Sequence, residues 1–590
     1  MRGKYQHRFR RSSAKSDLTS RFLPLQSMDS VYQTQGERWS EEQQAPPPQK
    51  IPLDSVGPKP EDPPSQGRDR GGDSSGPVKE TTYSSVWKRA TIMLGLCLAL
   101  LCMSLDNSIL ATAIPKITDE FSSLDDMGWY VSAYSLAQCS MTLVYGKLFT
   151  YYTIKWVYLI ALFLFELGSL ICGVAPSSIA LIIGRAVAGV GGSGLYVGSL
   201  LIVSVIIPAN KRPLYNGILS SLYATAGVFG PLIGGALTDY ASWRWCFYIN
   251  LPIGGVTGFF ILLLFHAARP TKQRHSSARE QLLELDIVGL IMFIPALISL
   301  LLALQWGGAE YPWHSWRIIL LIIVFGVLIL AFAGVEYWQK DRATIPVGLI
   351  RRRDVWGTGL FSFFLVGSIV IFTYYLPIWF QSVKGTSATM SGVMNIPLIV
   401  SVAITAMLAG WAVSAVGYYT PFMYACAVIA SIGAGMLSTL TVGSGHPAWI
   451  GFQALYGIGA GIGFGLPIAV IQVSLPTDKI SSGTAIITFI QGLTGALCNF
   501  IAQSVFQTQL MRVLMEKAPN LDADKLMDSG ATMLRHLVEP DMLPAVLDAY
   551  NTAIMRVFTL GAGLAAASVL GVLPLRWVNV KEKKLEPAAG

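Results

Sequence analysis

Between Arg317 and Glu336 the chain reads IILLIIVFGVLILAFAGV, eighteen residues without a charge or a hydrogen-bonding side chain. As a helix this run reaches about 27 Å at 1.5 Å per residue, close to the roughly 30 Å hydrocarbon core of a bilayer. A helix apolar on every side must be buried, in protein or in lipid. Runs of this kind recur from Thr91 to Trp577, in a chain of 590 residues with 52% hydrophobic and 13% charged residues. Soluble proteins carry about 25% charged residues. The sequence therefore predicts an all-α polytopic membrane protein.

The runs divide into fourteen expected transmembrane helices, near 91–112, 128–149, 155–175, 179–206, 214–237, 244–265 and 286–306, then 316–337, 356–381, 391–416, 420–441, 448–471, 482–506 and 554–577. An even number puts both termini on one side. Lys211 and Arg212 follow the fourth run, Arg269, Lys272, Arg274 and Arg279 the sixth, Lys340, Arg342 and Arg351–Arg353 the eighth, and Lys581, Lys583 and Lys584 the last. The link after the first run instead holds Asp119, Glu120, Asp125 and Asp126. The positive-inside rule then places both termini in the cytoplasm. Residues 1–86 are polar and proline-bearing and are expected to form a disordered cytoplasmic tail, as is 578–590 a short one. Residues 507–551 form the longest external link, in which Leu510, Leu514, Leu521, Leu526 and Leu537 among charges predict an amphipathic helix on the outer face.

The net charge of +8 sits at the ends of the apolar runs, so it speaks for topology and not for nucleic acid. The seven cysteines fall in or beside apolar runs without ligand-like pairing, the six histidines are scattered, and no cofactor or metal is expected. There is no G-x-x-x-x-G-K-[ST] stretch, so ATP hydrolysis is not this chain's energy source.

Several motifs interrupt the apolar background. LDNSILATAIP, Leu105 to Pro115, puts Asp106 inside the first run, where an ionised carboxylate costs about 2.5–3.5 kcal/mol unless it meets water, a cation or a proton path. The plain alternative is a hydrated acid at the membrane edge. GRAVAGVGGSGL, Gly184 to Leu195, carries the cation Arg185, whose plain alternative is snorkelling to the interface, and stacks Gly184, Ala188 and Gly192 at four-residue spacing for close helix contact. Its formal G-x-G-x-x-G lies within an apolar helix and is not a nucleotide site. AGVFGPLIGGALTD, Ala226 to Asp239, combines a small-residue stripe with a proline that deletes a helical hydrogen bond. WRWCFYINLPIGG, Trp243 to Gly255, opens the sixth run with interfacial aromatics and a proline bend, and GIGAGIGFG, Gly457 to Gly465, gives the twelfth a close-contact face. Glu166, in the third run, is the other embedded acid singled out as a proton carrier.

Taken in order, these motifs resemble the major facilitator superfamily, and within it the fourteen-span drug:proton antiporter branch of fungal toxin and multidrug efflux pumps. The resemblance covers about 91–577 and implies two six-helix bundles with two linking helices, the seventh and eighth, between them, and a substrate exported by alternating access. It implies that Asp106 is the proton-coupling acid and Arg185 the basic residue tied to proton transfer, and that Gly227, Gly230, Pro231, Gly234 and Gly235 form the antiporter motif. One motif departs. After the second run, Gly146–Lys155 reads GKLFTYYTIK, which keeps Gly146, Leu148 and the final basic Lys155 but has Thr150, Tyr151 and Thr153 where the family pattern has Asp, Arg and Gly, so the charge relay of its usual latch is not expected.

Between Asp354 and Asp478 the only charged residue is Lys384, and none lies between Lys479 and Arg512. The second half thus offers a substrate aromatic rings and amides, suited to a neutral, lipophilic, oxygen-rich ligand. The candidate substrate contacts are Gln138, Tyr223, Tyr374, Trp379, Gln381, Asn395, Gln472 and Gln491. The expected partners are a small-molecule substrate, protons and the lipid bilayer, with no nucleic acid, for a chain acting as a monomer in the plasma membrane, the vacuolar membrane being the alternative. Export of a toxin, drug or secondary metabolite ranks first. Uptake of a siderophore or a basic amino acid ranks second, a transporter-like sensor third, and a membrane enzyme last.

Overall fold

The computed structural model describes residues 86–123, 126–266, 286–307, 311–339, 342–517 and 541–581. The expected N-terminal tail and most of the expected C-terminal tail lie outside these residues. Fourteen long helical segments follow one another: α1 Val86–Phe121, α2 Met127–Tyr151, α3 Ile154–Gly173, α4 Ser178–Ile206, α5 Arg212–Tyr240, α6 Trp245–Leu264, α7 Ile287–Trp306 and α8 Trp316–Gln339, then α9 Arg353–Ser382, α10 Thr389–Val416, α11 Thr420–Leu437, α12 His446–Ser474, α13 Ile480–Lys517 and α14 Leu543–Val572. Among the described residues there is no strand, only two isolated bridges.

Twelve of these segments are long and apolar enough to cross a membrane. The other two, α2 and α5, are 25 and 29 residues long but more polar. Their polar groups point into the bundle, where Ser140, Thr142 and Asn216 are buried. A helix enclosed by other helices needs no apolar surface all round, and fourteen spans are consistent with this order. The opposite case is α8, in which only Ile318, Phe332 and Glu336 are buried.

Prolines break three of the segments where the missing N–H leaves a carbonyl without its helical partner. The helix pieces of α6 separate at Ile249, ahead of Pro252, those of α10 at Asn395, ahead of Pro397, and those of α12 at Gly465, ahead of Pro467. The glycines of GRAVAGVGGSGL serve two neighbours where the spacing suggested one. Gly184, Ala188 and Gly191 lie against α3, at Cys172, Gly168 and Phe165, whereas Gly189 and Gly192 lie against Tyr134 of α2.

At the end of the thirteenth segment the expected loop is shorter. The α13 helix runs on to Lys517, and α14 begins at Leu543. Leu510 and Leu514, expected on a surface helix, are each 1% exposed and share a core with Val546 and Tyr550. Their apolar face found a helix partner before it needed a membrane surface. Leu521, Leu526 and Leu537 lie outside the described residues.

Successive helices reverse direction, so the bundle has a near end, where α1 starts, and a far end, where α1 stops. The two ends differ in how α1–α6 meet α9–α14. At the near end one core runs through both halves, from Leu143, Phe149 and Leu200 to Ile468, Ile471, Leu475, Ile480 and Ile487. At the far end the first half has its own core around Leu105, Ile109, Tyr130 and Trp243, and the second half another around Phe372, Trp379, Trp449 and Phe558.

Hydrogen bonds between the halves gather at the near end. Arg212 Nη1 donates to the Gln472 carbonyl at 2.9 Å, Asn216 Nδ2 to Gln472 Oε1 at 2.9 Å, and Gln472 Nε2 to the Leu200 carbonyl at 2.9 Å. Ser481 Oγ donates to the Gly146 carbonyl at 2.8 Å. Gly217 and Gly410 let α5 and α10 approach backbone to backbone, each lying where a Cβ would strike a carbonyl of the other helix. Toward the far end of α5, Gly227 and Gly235 have nothing within 4 Å of a would-be Cβ. The halves are therefore sealed at the near end, while at the far end each keeps a core of its own.

The linking helices are tied to the first half. Lys147 Nζ of α2 donates to the Arg342 carbonyl at 2.7 Å, and within the linking segment itself the buried Asp286 and Glu336 accept from the Thr344 amide at 2.9 Å each. Where the family's charged latch was expected to be missing, backbone carbonyls and neutral hydroxyls join α2 to α13 instead.

Candidate functional site

Asp106 sits deep in α1 and is 2% exposed; Arg185, on α4, is 0% exposed. They form an ion pair through Asp106 Oδ2 and Arg185 Nη1, across 79 residues of sequence. Neither the hydrated acid nor the snorkelling cation describes this geometry. The rest of the guanidinium is also engaged. Arg185 Nε donates to the Tyr130 carbonyl at 2.9 Å, Nη2 to Asn107 Oδ1 at 3.2 Å, and the group stacks 4.5 Å from the Tyr134 ring centroid. Five donors in a rigid fork suit a buried pair of this kind better than a lysine would.

Asn250, on α6, completes the cluster. Its Nδ2 donates to Asp106 Oδ1 and to Ser169 Oγ, each at 3.1 Å. Asn250 lies within WRWCFYINLPIGG, so that motif reaches the embedded acid as well as bending the chain. Glu166, one turn before Ser169 on α3, aims its carboxyl at Gly254 of the same motif, where a Cβ would collide with it. Both Glu166 oxygens are shielded from water and have no hydrogen-bond partner, as is also true of Asn250 Oδ1 and the Tyr134 hydroxyl.

The small-residue stripe of α5 divides by face. Gly230 lies against Ser108 and Gly234 against Thr112 of α1, while Gly227 and Gly235 face open space. Pro231 lies between them within the α5 helix. Ser108 Oγ donates to the Ala226 carbonyl at 3.0 Å and Ser104 Oγ to the Tyr223 carbonyl at 2.9 Å, so the helix carrying Asp106 is fastened to α5.

The candidate substrate contacts also divide. Tyr223 and Tyr374 belong to opposite halves and lie within electrostatic reach of each other. Tyr374 is 54% exposed although Phe372 and Tyr375 beside it are buried. Tyr196 packs 5.8 Å from Tyr223, centroid to centroid, and joins this group. Gln138 and Gln491 are half-buried next to Cys139 and Gly492, where α2 meets α13. The others stand elsewhere. Trp379 is 0% exposed and donates its indole N–H to Asn551 Oδ1 at 2.8 Å. Asn395 is 4% exposed at the break in α10. Gln381 Nε2 donates to Ser391 Oγ at 3.0 Å, within the second half. Gln472 belongs to the near-end seal described above.

Sequence reading missed Asn107, Tyr134, Tyr196 and Asn250. Asn107 and Asn250 lie inside quoted motifs, and Tyr196 directly follows one, so proximity to a motif was the available signal. Tyr134 had none.

A family model described as Major Facilitator Superfamily matches residues 96–498. The protein named MFS-type transporter opaD, of Aspergillus ustus, is 64% identical over all of both chains. Efflux pump roqT, of Penicillium rubens, is 47% identical over 89% of this chain and 97% of its own. MFS-type efflux pump MFS1, of Arthroderma benhamiae, is 47% identical over 85% of this chain and 94% of its own. The crystal structure of the human organic anion transporter MFSD10 superimposes with a TM-score of 0.52 at 13% identity, over 81% of this chain and 99% of its own, a likeness of fold.

Proposed function

The chain belongs to the Major Facilitator Superfamily, and we propose that it is an efflux transporter exchanging protons for a small, neutral, lipophilic molecule of the toxin, drug or secondary-metabolite kind. It is a polytopic membrane protein that binds a small-molecule substrate, and it is a transporter rather than an enzyme. The observation that carries the reading is a division of labour between the halves. The first half encloses Asp106, Arg185 and Glu166. The second half has no charged residue between Asp354 and Asp478 except Lys384.

A proton needs a titrating group, and the acids in mid-span, Asp106 and Glu166, both belong to the first half. A lipophilic substrate needs apolar contact and a few hydrogen bonds, which Tyr196, Tyr223, Tyr374, Gln138 and Gln491 supply where the halves meet. A basic amino acid would lack a carboxylate partner in the second half, which counts against uptake of such a substrate. The names of the relatives of Penicillium rubens and Arthroderma benhamiae support the efflux direction.

The near end is the cytoplasmic one in this reading, because Lys211, Arg212, Arg342 and Arg351–Arg353 cluster there. The described conformation is then closed to the cytoplasm and open to the outside. Export requires the reverse state, in which the near-end seal parts and the far-end cores meet. The chain works as a monomer in the plasma membrane. The test is accumulation of a neutral lipophilic dye, Nile red, in inside-out vesicles bearing the protein. Accumulation that depends on an imposed pH gradient is expected; equal dye with and without the gradient would refute proton coupling.

A further inference from the structure

Asp106 is the acid that its motif singles out, yet its surroundings commit it to another task. Its carboxylate is paired with Arg185 and accepts from Asn250 at 3.1 Å. Protonating it would leave a fully buried guanidinium without its counter-charge, which is among the costliest changes a protein interior can undergo. Glu166 is in the opposite situation. Both its oxygens are buried and neither has a partner. A charged carboxylate cannot be held in such a place, whereas a neutral carboxylic acid can.

We propose that Glu166, and not Asp106, is the group that takes up and gives off the transported proton, in a niche formed by Asn250 and Gly254 of the sixth span. This rests on the export reading above. The step is a simple protonation, carboxylate plus proton to carboxylic acid, with no change of oxidation state. Ion pair and proton carrier are separate devices, placed on adjoining helices.

Three features of the niche support the assignment. Gly254 has no side chain, and any Cβ there would occupy the space of the Glu166 carboxyl. The helix break at Ile249, ahead of Pro252, lies one turn away, so α6 can shift against α3 where the niche is formed. Asn250 bridges Ser169, on the helix of Glu166, to Asp106, while its own Oδ1 stays unpartnered. A hydrated niche would offer water to that oxygen and to both Glu166 oxygens together. From α1 the groups facing Glu166 are Asp106 and Cys102, both within electrostatic reach. From α4 the cation Arg185 is already engaged, and α6 has no titratable residue between Asn250 and Leu264. The outward-open state thus carries the proton, and the inward-open state admits cytoplasmic water and releases it.

The test does not need the natural substrate. Infrared difference spectra between acid and alkaline pH are recorded on the purified full-length protein in liposomes. The carbonyl band of a protonated carboxylic acid is expected in the unmodified protein. The component contributed by Glu166 should be missing from the Glu166→Gln spectrum and present in that of Asp106→Asn/Arg185→Gln, which removes the ion pair as a unit. Glu166→Asp, which keeps the titrating group, should retain a band that titrates at a different pH. A Glu166→Gln spectrum identical to that of the unmodified protein would overturn the proposal. So would gradient-driven Nile red accumulation by Glu166→Gln at the unmodified level. If the band depends on Glu166 but the unmodified protein accumulates no dye, the proton site stands and the export reading fails.

Discussion

Replacing Asp106 by Asn tests whether the embedded ion pair holds the first half together. The substitution keeps the size of the side chain and removes its charge, leaving Arg185, 0% exposed, beside a neutral amide. The guanidinium retains the Tyr130 carbonyl at 2.9 Å and Asn107 at 3.2 Å, neither of which carries a charge. Breaking a buried pair from one side typically costs about 3–5 kcal/mol, because the surviving charge stays desolvated. Arg185→Gln should cost a similar amount by stranding Asp106. The double variant Asp106→Asn/Arg185→Gln strands nothing, and replacing a buried pair as a unit is often close to neutral. The two effects should therefore fail to add, by at least the cost of one single variant, about 3–5 kcal/mol. The assay is the melting temperature of the four purified full-length proteins in one detergent. Each single variant should melt well below the unmodified protein, and the double variant above either single. If Asp106→Asn melts with the unmodified protein, Asp106 is not compensating Arg185, and the reasoning that frees Glu166 to carry the proton loses its premise.

Three further outcomes are expected. Gln472→Ala removes two side-chain hydrogen bonds between the halves, worth about 1–3 kcal/mol together, so the near end should open more often; in a background keeping only Cys139, maleimide applied from the cytoplasmic side should label this cysteine faster. Trp243, donating at 2.6 Å, and then Arg244 hold the Glu120 carboxyl below the usual carboxylate range against the opposing effect of burial, so this contact stabilises the far end above the ordinary carboxylate pKa and is lost as pH falls through the lowered one; Glu120→Gln should flatten the acid limb of the melting-temperature profile. Epitope tags placed at Gly443 and at Asp478 should be reached by antibody from outside intact cells and only after permeabilisation, respectively, and the reverse pattern would invert the assigned orientation.

Read alone, the sequence settled what depends on short stretches of chain. Whether about twenty consecutive residues can lie in lipid is a local property, and so the membrane class, the order of the helices and their family were legible from residues such as Ile318–Val335 and the motifs at Leu105, Gly184 and Trp243. The two segments that fall short on apolarity, α2 and α5, are helices at the places where the sequence put spans near 128–149 and 214–237. What the tertiary structure alone decided is which face of each helix meets which neighbour. Asp106 and Arg185 are 79 residues apart, and nothing in either motif states that they pair. Glu166 and Asp106 look alike as single acids in apolar helices, yet one is fully partnered and the other is not. Gln472, read as a substrate contact, instead joins the halves by bonding Asn216 and the Leu200 carbonyl. A helix presents residues around its whole circumference, and only the packing of fourteen helices fixes which of them see lipid, substrate, a counter-charge or one another.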